Sequence, residues 1–181
     1  MHLINKKTFI LVTTLLLSLL QSAYAQTSIN TTSDTAIENA ILVHINQYRQ
    51  QHGLSALKMN NQMVVEARQH SVDMAKHRMP FGHNKFNSRI DRLHAQVKNS
   101  GAGAENVAYN YKDAQDVVKN WLRSPGHKRN IDGNYNLTGI GIARDQNGKI
   151  YFTQIFLRTG ANNTYAARKP LPNFFRKSVF R

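Results

Sequence analysis

Two runs, Leu137-Thr138-Gly139-Ile140-Gly141-Ile142-Ala143 and Ile150-Tyr151-Phe152-Thr153-Gln154-Ile155-Phe156-Leu157, flank Asp145-Gln146-Asn147-Gly148, and their reading decides the fold class. Both runs are rich in β-branched and aromatic residues. Asn-Gly between two such runs is a strong hairpin signal, because a tight turn needs the positive φ that these residues tolerate. Upstream, apolar residues recur at helical spacing instead. A first helix is expected from Ser33 or Asp34, carrying Ile37, Ile41, Ile45 and Tyr48, to a stop at Gly53. A second runs from about Asn60 to Lys76 with Met63, Ala67, Ser71 and Met74 on one stripe, and a short one covers Asn87 to His94. Asp113 caps another, on which Ala114, Val117, Val118 and Trp121 share a face before Pro125 and Gly126 end it. Leu54 to Lys58 reads as a connector, Lys98 to Ala104 as irregular, and Glu105 to Asn110 as a short strand. Helices first and a hairpin last give an α+β domain with an antiparallel sheet. No internal repeat is visible.

The ends of the chain have other compositions. Lys6 and Lys7, the apolar run Phe9 to Leu20, and Ala23-Tyr24-Ala25 read as a signal peptide over 1–25, cleaved after Ala25, so the protein is expected to be secreted, periplasmic or extracellular. A polar leader (26–33), a folded domain (34–160) and a basic tail (161–181) would follow. There is no cysteine, which excludes disulfides and thiolate metal ligands and leaves the hydrophobic core to hold the domain. The formal charge is +14, and losing Lys6 and Lys7 leaves +12. Such an excess attracts anionic surfaces. Export keeps the chain away from most nucleic acid, so lipid headgroups and envelope polymers are the expected anions.

Three short segments carry the chemistry: Phe81-Gly82-His83-Asn84, Gly103-Ala104-Glu105-Asn106-Val107-Ala108, and Trp121-Leu122-Arg123-Ser124-Pro125-Gly126-His127. Each sets an imidazole or a carboxylate beside glycine where regular structure breaks, and side chains at such breaks converge on clefts. In this order, followed by the hairpin, the series from about Ala40 to Leu157 resembles the CAP superfamily (cysteine-rich secretory proteins, antigen 5 and pathogenesis-related 1 proteins), and within it the bacterial SCP-like extracellular branch. The resemblance implies a three-layer α-β-α sandwich around a small three-stranded antiparallel sheet.

It also implies a central cleft. His83, Asn84 and Arg89 resemble the family's first histidine segment; Glu105 and Asn106 match its acidic motif, with Ala104 inserted after the glycine; His127 matches the second histidine. The second acid of the eukaryotic pattern falls at Ser124, so a triad remains where the family has four groups. Asn84, Arg89, Asn106, Ser124 and Gln154 are the expected cleft-lining residues. Two histidines and a glutamate suit zinc or another divalent cation with an open coordination position, while the same three groups also suit a purely hydrogen-bonded cluster. His70 and His77 lack metal-ligand spacing and read as core or surface histidines. Family members are linked to lipid or sterol ligands at the cell surface or host interface, and no single catalytic activity defines them. Two alternatives stay open: a metal-dependent hydrolase acting on envelope polymers or peptides, and a cationic adhesin. The adhesin reading rests on the tail, where Arg168, Lys169, Arg176, Lys177 and Arg181 alternate with phenylalanines in a pattern that suits an anionic membrane surface.

Overall fold

The computed structural model describes residues 34–160. The expected signal peptide, leader and basic tail lie outside the described residues. Residues 34–36 end an N-terminal unit, and the described chain from Ile37 onward belongs to a second, compact one. Helix α1 (34–51) leads to strand β1 (Lys58–Met59), helices α2 (Asn61–Ala75) and α3 (Phe86–Gln96), and strand β2 (Ser100–Tyr109). Helices α4 (Ala114–Arg123) and α5 (Pro125–Ile131) and strands β3 (Leu137–Arg144) and β4 (Ile150–Thr159) complete it.

Local chemistry sets the boundaries. Asn60 caps α2 by accepting the Met63 N–H at 3.1 Å, and Asp113 caps α4 by accepting the Asp116 N–H at 2.8 Å. Pro125 does more than end α4: it stands at the start of α5, where a fixed φ and a missing N–H cost a helix nothing. In the β3–β4 turn, Asp145 Oδ1 accepts from the Asn147 and Lys149 N–H groups at 2.8 and 2.9 Å, and Gly148 takes a φ of +77°.

The sheet order is β1-β3-β4-β2, with β2–β4 and β3–β4 antiparallel and β1 parallel to β3. The expected three-stranded antiparallel sheet is therefore corrected to a mixed sheet of four strands. The extra strand comes from the connector. Leu57 is buried, and Asn46 holds its backbone from both sides, donating to the carbonyl at 2.9 Å and accepting the N–H at 2.8 Å. That clamp extends the next two residues alongside Leu137 and Thr138. Strand β2 likewise begins at Ser100, inside the stretch expected to be irregular. Its Gly103 is there for close packing, since a Cβ would sit 2.7 Å from Ile90 Cδ1.

Alternation along the strands divides the core. Ala104, Ala108, Ile140, Ile142, Phe152 and Phe156 pack with Ile41 and Ile45 of α1, Val117, Val118 and Trp121 of α4, and Ile131 of α5. On the other face Ile155 and Leu157 meet Met63 and Ala67 of α2 and Ile90 and Leu93 of α3. Helices thus cover both faces. The contact of α2 with β3 is made by backbone: a Cβ on Gly139 or Gly141 would lie 2.2 Å from Met63 C or 2.1 Å from Arg68 N. Beyond β1, the outer edge of β3 is closed by Glu38 of α1, which accepts the Ile142 N–H at 3.1 Å and is itself held by Arg68 Nε at 2.8 Å. Arg49, also on α1 and 2% exposed, donates to the Ser55, Gly133 and Tyr135 carbonyls at 2.8, 3.0 and 3.2 Å and to that of Ile131.

Candidate functional site

The site is built where α2, the α2–α3 loop, β2 and the start of α5 meet. Gly82 has a φ of +137°, open to glycine and strained for other residues, and this turns the loop so that its carbonyl accepts from His70 Nε2 at 2.9 Å. The next residue, His83, places Nδ1 3.0 Å from Glu105 Oε1. Glu105 lies on β2, on the face covered by α2 and α3. Arg89 of α3, 3% exposed, grips it with two donors, Nη2 to Oε1 at 2.7 Å and Nε to Oε2 at 2.8 Å, and donates to the Asn84 carbonyl at 2.7 Å. His70 stands behind, its Nε2 3.8 Å from Glu105 Oε1.

Residues on the opposite face of β2 position His127. Asn106 Nδ2 donates to the His127 carbonyl at 3.2 Å, while Asn130 of α5 donates to Asn106 Oδ1 at 2.8 Å and to the Glu105 carbonyl at 3.1 Å. One strand dipeptide, Glu105-Asn106, therefore organises both histidines, one from each face.

The electrostatics follow from this packing. Burial alone would raise the Glu105 carboxyl, but the His83 hydrogen bond, then the charge and hydrogen bonds of Arg89, outweigh it and hold it below the usual carboxylate value. Burial lowers the His70 imidazole, against the pull of Glu105. Burial first, and then the proximity of His83, lower His127 to about 4, with a Val107 backbone hydrogen bond opposing. A carboxylate gripped by a guanidinium and an imidazole is well suited to positioning those groups. An ionised carboxylate only accepts, so the proton of the His83–Glu105 contact sits on Nδ1, and Nε2 is the nitrogen left for another partner.

Among the described residues no group of three or more His, Cys, Asp or Glu side chains is arranged to hold a metal ion. Of the three expected ligands, Glu105 accepts from Arg89 on both oxygens and from His83 on Oε1. Asn84 contributes its carbonyl, and its side chain is exposed. Ser124 sits at the α4–α5 junction. Gln154 is fully buried beside Asn106 in the β2–β4 register, with Nε2 donating to Thr138 Oγ1 at 3.2 Å. The five basic residues of the tail lie outside the described residues. Sequence reasoning passes over Asn130 and, at His70, finds a core histidine without its neighbour. The available signal is a polar residue within the Met63, Ala67, Met74 stripe.

Comparison with known proteins agrees with this fold. The family model described as the cysteine-rich secretory protein family, CAP, matches residues 42–156. An uncharacterized membrane protein of Bacillus subtilis, YlbC, is 35% identical over 127 residues, which are 68% of this chain and only 35% of YlbC, so the chain spans about a third of that relative. An extracellular protein containing an SCP domain from Bacillus anthracis is similar in structure, with a TM-score of 0.59 at 25% identity over 70% of this chain and 41% of the other. An outer surface protein from Borrelia burgdorferi shares the fold, with a TM-score of 0.61 at 18% identity over 72% of this chain and 96% of its own.

Proposed function

Because this chain belongs to the cysteine-rich secretory protein (CAP) family, we propose that it is an extracellular binding module whose cleft takes a divalent cation, zinc first, on the imidazoles of His83 and His127. The observation that carries the reading is the 3.0 Å contact of His83 Nδ1 with Glu105. Metal-binding imidazoles are ordinarily fixed through their other nitrogen by a carboxylate, and Glu105 is fixed in turn by Arg89. Glu105 thus acts behind the ligand and not as one. His127 supports the same reading, since an imidazole lowered to about 4 is neutral, the form a metal requires, at neutral pH. When bound, such an ion supplies Lewis acidity toward an oxygen of a ligand in the adjoining groove, a lipid, sterol or envelope polymer on this reading. Extracellular placement is supported by the signal-peptide pattern of residues 1–25 and by the description of the Bacillus anthracis relative. The excess positive charge favours a second role at anionic membrane surfaces, taken by the tail.

Zinc titration of the purified protein by calorimetry, with elemental analysis after dialysis, tests the cleft. Binding is expected to vanish in the His83→Ala, His127→Ala double variant, and to weaken about 10–100-fold in Glu105→Gln, as loss of an orienting partner does. Unchanged uptake in the double variant overturns the reading.

A further inference from the structure

Beside His127 lies a cavity of about 380 Å3. Its size falls in the range of small-molecule sites, roughly 300–1,000 Å3. Phe81, Tyr109, Tyr111 and Trp121 give it four aromatic side chains, and Phe81 and Tyr109 already pack with centroids 4.9 Å apart. The polar lining carries no negative charge. Asn120, Arg123, Ser124 and His127 contribute to it, and no carboxylate does. Asn120 is committed, with its Nδ2 donating to Asp116 O at 2.9 Å. Two other polar atoms are not: Trp121 Nε1 and Ser124 Oγ are buried and have no hydrogen-bond partner among the described residues. Buried polar atoms are almost always paired, and an indole N–H can only donate. Arg123 makes no ion pair among the described residues. The cavity wall therefore combines a cation, two buried polar atoms without partners and aromatic surface, with no carboxylate.

We infer that this cavity binds a carboxylate carried on an aromatic body, either a free aromatic acid or the C-terminal aromatic residue of a peptide. Its charge meets Arg123, its ring joins Phe81 and Tyr109, and its oxygens reach Trp121 Nε1 and Ser124 Oγ as the side chains covering those buried atoms give way. The inference needs neither a cation in the cleft nor any role for Glu105.

Trp121 is the only tryptophan in the chain, so its emission reports ligand entry directly. Purified protein in chelator is titrated with 3-phenylpropionate and with its neutral amide. A saturable change is expected, with the acid about tenfold tighter than the amide, the worth of one hydrogen bond to a charged group. Arg123→Gln is expected to abolish that preference, and Ser124→Ala to weaken acid and amide alike; both substitutions are at positions that leave the core intact. Tighter binding of N-acetylglycylphenylalanine than of 3-phenylpropionate assigns a peptide end as the ligand, and equal binding assigns a free acid. The absence of saturable binding, equal affinity for acid and amide, or an undiminished preference in Arg123→Gln overturns the inference.

Discussion

Three ionisable side chains around the cleft, two buried and His127 half-buried, respond to acid in the same sense. The folded-state value of His127 is about 4 against 6.5 unfolded, so the unfolded chain takes up a proton that the folded chain refuses. Its contribution to stability is complete above 6.5 and is lost as the pH falls through about 4. His70 shifts the same way, and Glu105, also lowered, loses its contribution when the pH drops below its unfolded value of 4.5. The melting temperature, measured in chelator, is therefore expected to rise steadily between pH 4 and 6.5, and His127→Gln to flatten that rise. A profile unchanged by the substitution refutes the assignment. His83, Glu105 and His127 are legible in the sequence because each lies in a recognisable motif. The partners of Glu105 are less so. A carboxylate buried on a strand needs cations from the elements that cover it, and their identity depends on which helix turns inward, as α3 does to bring Arg89 and α2 to bring His70.

Helix α2 is the element on which the cleft depends most. It rests on β3 where Gly139 and Gly141 have no side chain to hold it off, and it brings His70 to Glu105 and Arg68 to Glu38. Gly141→Ala puts a methyl carbon 2.1 Å from the Arg68 nitrogen, so the helix must lift. Overpacking of this kind typically costs about 1–3 kcal/mol, which denaturant titration will show as an earlier midpoint. Val65→Ala on the exposed side of the same helix, where the side chain is 66% accessible, is expected to stay within about 0.5 kcal/mol. Equal effects of the two changes are the result that contradicts this view. Periodicity finds this helix, α1, α4 and the hairpin, because each repeats a pattern over several turns or strand residues. It does not find β1, since two residues have no alternation to read and that strand exists through a side chain eleven residues earlier, Asn46 on Leu57. Gly103, near the start of β2, looks like loop and serves as clearance for Ile90.

At the scale of the whole chain the charge governs encounters. Of the +12 that remains without Lys6 and Lys7, Arg168, Lys169, Arg176, Lys177 and Arg181 supply five, leaving +7 on a chain cut after Gly160. Retention on anionic vesicles is expected to fall as salt rises from about 0.05 to 0.5 M, where the screening length shrinks from more than 10 Å to a few ångströms. The shortened chain is expected to bind more weakly and to lose less with salt, and neutral vesicles to retain neither form. Retention indifferent to salt contradicts a charge-driven encounter. The absence of cysteine sets this member apart from relatives named for it, and Arg49 supplies what a covalent tie otherwise would. Its guanidinium ties the end of α1 to the segment entering β3, more than eighty residues further along the chain. A fastening made of hydrogen bonds has no reduction potential, so it holds alike under thiol-reducing and thiol-oxidising conditions, with no disulfide partners to choose.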